Sequence, residues 1–184
     1  MAGPYFQKTT WPEFVYQNEK YSFSHLREYE LSVEDSSGVV RIIAVTFSDH
    51  CFTRGREPGD DLDLTYKGSD GRSFCFERYK LTFDLVKHIE NAVASLVWNV
   101  DGDNFAVVPA VTQSGQRILY GIVFSLDPVK GLPVKLHMRV KSAYPVDKKP
   151  LITYGFIRFR YLITVRMQNR RPTRNLSKHR KRPT

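Results

Sequence analysis

Residues 134–142 read VKLHMRVKS, and the side chains change character at every step. Val134, Leu136, Met138 and Val140 fall on one side, and Lys135, His137, Arg139 and Lys141 on the other. A two-residue period is what an extended strand produces when one face meets a core and the other does not. The same alternation marks Tyr29, Leu31 and Val33 among Glu28, Glu30, Ser32 and Glu34. Asp35-Ser36-Ser37-Gly38 then reads as a turn and Val39 to Phe47 as a β-branched return strand, which predicts a hairpin.

Around these strands the pattern predicts an α+β fold. Leu81, Leu85, Ile89, Val93 and Leu96 recur at steps of three or four, so one main helix is expected over 79–97. A four-stranded antiparallel meander follows: 105–111, 118–126, 134–142 and 156–167. In the last of these, alternation puts Ile157, Phe159, Tyr161, Ile163, Val165 and Met167 on one face and Arg158, Arg160 and Arg166 on the other. Residues 1–25 are aromatic without a period and predict an irregular arm packed on a single domain of residues 26–167. Residues 54–73 form a polar, aspartate-rich loop. Residues 168–184 lose apolar content and are expected to be a disordered basic tail.

Charge is distributed unevenly. Of 184 residues, the first 103 carry 11 Lys and Arg against 17 Asp and Glu, while residues 104–184 carry 17 against 2. Seven of the basic groups lie in the tail: Arg170, Arg171, Arg174, Lys178, Arg180, Lys181 and Arg182. Such asymmetry points to a phosphate-rich partner or to an acidic protein. No apolar run is long enough for a membrane-spanning helix, and no signal segment opens the chain. With only Cys51 and Cys75, a disulfide framework is excluded and a cytoplasmic location is expected.

The candidate chemistry lies in the basic stripe and the histidines. Lys135, His137, Arg139 and Lys141 share a sheet face by their spacing, joined by Arg158 and Arg160 if the last two strands pair. Cations so placed neutralise phosphates or stabilise a phosphorane. Acid–base chemistry needs a group titrating near neutrality. His50, in Ser48-Asp49-His50-Cys51-Phe52-Thr53-Arg54, stands at a strand end where polar side chains could line a cleft. His88 lies close to the apolar face of the helix, where a core role competes with catalysis. No zinc or calcium spacing, glycine-rich phosphate loop or nucleophile elbow occurs, so neither metal nor cofactor is expected.

The segment Arg139-Val140-Lys141-Ser142-Ala143-Tyr144-Pro145, at the end of a meander strand, resembles the superfamily of barnase, EndoU, colicin ribonuclease and RelE-type toxins. The resemblance implies metal-independent RNA cleavage driven by the RNA's own 2′-hydroxyl. It also implies that Arg139 and Lys141 stabilise the phosphorane, while Ser142 and Tyr144 hold the phosphate or stack a base. Three readings follow. The first is an RNA-acting, toxin-type endoribonuclease, with His50 or His88 as base or acid and Arg139, Lys141 and Arg158 as electrostatic stabilisers. The second is a non-catalytic nucleic-acid-binding module, and the third a protein-interaction or inhibitor subunit. The expected partner is nucleic acid, RNA ahead of DNA, with a neutralising or acidic protein as the alternative and no membrane.

Overall fold

The structure, a computed structural model, describes residues 4–6, 11–100, 102–146 and 155–172. Phe14–Tyr16 (β1) and Glu19–Tyr21 (β2) pair antiparallel across Gln17 and Asn18, both at positive φ. The segment read as an irregular arm thus contains a small hairpin, and its rings anchor it. Phe14 stacks on Phe74 at 4.3 Å and Phe23 on Phe52 at 4.0 Å.

Tyr29–Glu34 (β3) and Val40–Phe47 (β4) form the next hairpin, with Tyr29 opposite Val45. Its turn is built on Asp35, whose buried carboxylate accepts from Ser37 N, Ser37 Oγ, Val39 N and Arg41 Nε at 2.6–3.2 Å. Gly38, at φ +80°, takes the left-handed position that closes the turn. Thr53–Arg54 (β5) and Ser73–Phe74 (β6) then form a minor pair. Phe76–Thr82 (α1) and Leu85–Val93 (α2) follow, and after them Leu96–Val100 (β7), Asp103–Val111 (β8), Arg117–Pro128 (β9) and Leu136–Pro145 (β10). Phe156–Arg158 (β11) leads directly into Phe159–Met167 (α3).

Seven strands make one sheet in the order β11-β7-β8-β9-β10-β4-β3. Every neighbouring pair is antiparallel except β4 and β10, which run parallel with Ile43 opposite Leu136 and Phe47 opposite Val140. The sheet curls into a half-barrel. One face carries Leu31, Ile43, Val45, Tyr120, Ile122, Phe124, Leu136, Met138 and Val140, all buried in a single core with Leu85, Ile89, Phe159 and Leu162.

This mostly-β architecture, a seven-stranded mixed sheet with three short helices, corrects the expected α+β fold of one main helix and a four-stranded antiparallel meander; the hairpin expected before them is present as β3 and β4. The helix expected over 79–97 is two helices. Asp84 (φ −99°, ψ 4°) ends the first, and its carbonyl starts the second through His88 N at 2.9 Å. The offset keeps Leu81 and Leu85 both buried and leaves Phe83 exposed. Leu96, read as the last helical position, opens β7 instead.

The second correction concerns residues 156–167. Only three of them are strand, and they pair with β7 at the far edge rather than with β10. The remainder is α3, with Phe159, Leu162, Ile163 and Arg166 buried at helical spacing. Both periods fit FRYLITVRM, and its β-branched residues favour the strand reading. What decides the outcome is the apolar surface that the helix covers. The place of the β3–β4 hairpin in the sheet is not given by the sequence pattern. β4 enters the sheet parallel to β10, a long-range pairing that carries no local turn signal.

Candidate functional site

The parallel seam between β4 and β10 brings together the two segments that the sequence singles out. Where β4 ends, Ser48 N donates to Val140 O at 2.9 Å and Ser48 Oγ donates to Lys141 O at 2.9 Å. The same hydroxyl accepts from His50 N at 3.2 Å, capping a one-turn 3-10 helix over Asp49–Cys51. Cys51 and Phe52 are fully buried and fasten that turn to the core. His50, one residue earlier, is left exposed at the end of the sheet.

On the other strand, a β-bulge shifts the β9–β10 register between Val140 and Ser142. Lys141 and Ser142 consequently leave the core side together before Ala143 returns to it. Ser142 Oγ donates to His50 O at 3.4 Å. Arg78, from α1, donates to His50 O at 3.1 Å and Thr53 O at 2.8 Å, and its guanidinium lies 5.1 Å from the centre of the Tyr144 ring. Arg72 donates through Nε to Thr53 Oγ1 at 2.8 Å. Ser69 Oγ makes a short hydrogen bond to Asp49 Oδ2, tying the polar loop to the turn. Asp49, His50, Lys67, Ser69, Asp70 and Arg72 line the resulting open cleft.

Partial burial holds the His50 imidazole below its ordinary pKa. The Arg72 cation adds to this, Asp49 opposes it, and Arg78 and Arg139 push in the same direction as Arg72. Elsewhere in the loop Asp60 and Asp61 are engaged, the latter accepting from Tyr16 Oη at 3.2 Å and Asp63 N at 2.9 Å. Asp60 is paired with Arg54, which is the leading reason its pKa falls to about 2, and Glu57 N and Ser73 Oγ also donate to it.

Not every residue expected at the site arrives there. His50, Ser142 and Tyr144 converge, and Arg139 lies close enough to influence His50. Lys141 is drawn away to Asp103, with Nζ 2.7 Å from Oδ1. Lys135 is exposed just before β10, with Nζ 3.4 Å from Leu132 O. His137 lies on the same sheet face as Arg139 but is covered by Phe6.

Arg158 and Arg160 do not extend the basic stripe, because β11 is separated from β10 by β7, β8 and β9. Arg166, expected beside them on an outer face, is buried, donating to Leu126 O at 2.6 Å and pairing with Asp127 at 2.9 Å. His88 is buried on α2 with its ring 5.2 Å from that of Tyr120, and it is not among the cleft residues. Burial lowers its pKa. Arg170 and Arg171 are exposed after α3, whereas Arg174, Lys178, Arg180, Lys181 and Arg182 lie outside the described residues. Among the described residues, no group of three or more His, Cys, Asp or Glu is placed to hold a metal ion.

Nothing in the sequence marks Arg72, Arg78, Lys67 or Ser69 as site residues. They stand in a polar loop and on a helix with no motif to mark them, and only the fold brings them to His50.

A family model for the YjaZ family matches residues 13–166. The chain belongs to the YjaZ family. In this YjaZ-family chain the matched span runs from just before β1 to the last turn of α3, and it includes every residue of the cleft. No curated protein and no solved structure matches the chain. Among the described residues, no helix is long and apolar enough to cross a membrane.

Proposed function

We propose that this YjaZ-family protein acts on RNA at the cleft around His50, as a metal-independent endoribonuclease. The observation that carries the reading is an exposed imidazole in an open cleft that Lys67 and Arg72 also line, with Arg78 bonded to the carbonyl of the same residue. An imidazole held neutral at pH 7 is a competent base, and guanidinium groups around it offer charge where a phosphorane develops. In the proposed step, His50 takes the proton of a ribose 2′-hydroxyl. The 2′-oxygen bonds to phosphorus, and the P–O5′ bond breaks. Water protonates the departing 5′-oxygen, leaving a 2′,3′-cyclic phosphate and a 5′-hydroxyl. Ser142 and Tyr144 border the same turn and suit contacts to the phosphate or to a base. The free Cys51 and Cys75 thiols support a reducing, cytoplasmic setting for this activity.

A second reading is favoured by the burial of His88, which leaves the cleft with one histidine rather than an acid–base pair. On that reading the site is a phosphate clamp in a non-catalytic RNA-binding module. Incubation with labelled structured RNA in EDTA separates the two. Cleavage with cyclic-phosphate ends, lost in His50→Ala and retained in His88→Gln, supports the nuclease. A salt-sensitive mobility shift without cleavage supports the clamp, and neither result leaves a protein partner as the reading to pursue.

A further inference from the structure

Phe6 lies flat against His137, with ring centres 3.9 Å apart and planes 3° from parallel. The segment that carries it is tied down by carboxylates. Tyr5 N and Phe6 N donate to the two oxygens of Glu28 at 2.7 and 2.8 Å, and Tyr5 Oη donates to Glu30 at 2.8 Å. His137 is fixed in turn by Thr46 Oγ1, 2.8 Å from its Nε2. The stack is therefore held from both sides, and yet Phe6 remains 38% exposed. A phenyl ring used only to anchor a terminus would gain more by burying that surface.

The position of the stack matters as much as its shape. His137 and Arg139 are two residues apart on β10 and share the face away from the core, and Ser142 at the bulge touches the His50 turn. Arg139 follows His137 by two residues on that face and precedes the bulge, so it lies along β10 between the stack and the residue that touches the His50 turn. From His137 to Ser142 the strand advances roughly 15 Å, a few nucleotides of extended chain. Glu28 and Asp127 also face His137, which makes it a poor phosphate contact but does not hinder an uncharged base.

We infer that the exposed face of the Phe6–His137 stack is a stacking platform for a nucleobase of single-stranded RNA, with Arg139 holding the phosphate between it and the His50 cleft. The inference rests on the RNA reading above and adds a subsite to it. Phe6 lies before residues 13–166, the span the family model matches, and His137 lies within it.

The test is fluorescence anisotropy with a short labelled single-stranded 2′-O-methyl RNA, which lacks the attacking hydroxyl and so is bound without being cut, and with its duplex, in EDTA at several salt concentrations. The proteins are the full-length chain and its Phe6→Leu and Phe6→Trp variants. Leucine keeps apolar cover over His137 but removes the π-face, and tryptophan keeps both. Phe6→Leu should weaken single-strand binding roughly tenfold at unchanged melting temperature, with little effect on duplex binding, and Phe6→Trp should retain the wild-type affinity. Equal affinity of Phe6→Leu and wild type, or an equal loss on duplex, overturns the platform while leaving the RNA reading standing. Failure of the wild-type protein to bind either RNA overturns the RNA reading itself, and the platform with it.

Discussion

At the residue scale, the functional argument turns on one imidazole and its cations. His50 is exposed because Cys51 and Phe52 occupy the inner side of its short turn, and it is neutral-biased because guanidinium groups disfavour a further positive charge nearby. If His50 is the base, activity must rise with pH through a value below the ordinary histidine pKa. Arg139 makes that bias testable, since its guanidinium is one of the groups that lowers His50. Arg139→Gln removes a repelling charge and so raises the His50 pKa. The acid limb of the pH–rate profile should move toward neutrality, with a fall in the plateau rate of about tenfold or more from lost phosphorane stabilisation. An unmoved acid limb in the variant would separate Arg139 from His50. The two residues were visible in the sequence as candidates. Their proximity was not, because one lies in the turn after β4 and the other in β10, and neither strand announces its parallel neighbour.

At the scale of elements, local chemistry that completes itself was the legible part. The β3–β4 hairpin follows from alternation plus an Asp-Ser-Ser-Gly turn, and the structure shows why that turn is specific. Burial alone would raise the Asp35 pKa, but bonds from the Ser37 hydroxyl, Arg41, Ser37 N and Val39 N overcome this and hold its carboxyl well below the carboxylate range. Asp35→Ala leaves these donors without their acceptor. It should cost about 2–3 kcal/mol of stability, read from the urea midpoint at pH 7. Asp35→Asn should recover part of the loss by accepting from the backbone. The α3 segment shows the opposite case. Ile163, Thr164 and Val165 favour extended backbone, and the alternation around them is real. The helix wins because Phe159, Leu162 and Ile163 must cover the core face of β9, which is not encoded near residue 160. The break at Asp84 has the same origin, since a straight helix over 79–97 could not bury Leu81 and Leu85 and still release Leu96 into β7.

At the scale of the whole molecule, the described histidines act together. His25, His50, His88 and His137 all have pKa values lowered on folding, with burial the leading cause in each. Each folded value lies below the unfolded value of about 6.5, so the unfolded chain takes up protons first as the pH falls. Stability is therefore fully present above about pH 6.5 and declines as the pH drops through the folded values. Urea midpoints should fall between pH 7.5 and pH 5, and His88→Gln should reduce that slope; a flat profile would contradict it. The uneven charge of the sequence is also recast at this scale. Strands from the acidic first half and the basic second half are interleaved in one sheet, so the asymmetry does not correspond to two lobes. The most far-reaching consequence comes from β10, which enters late in the chain and takes an interior place between β9 and β4. A backbone cut at Gly131 would divide the protein into a large piece with an open slot in its sheet and a small piece carrying β10 together with the edge strand β11 and α3. Neither piece would hold the His50 cleft alone, and mixing them would restore it, as in a two-part reporter that reads out reassembly.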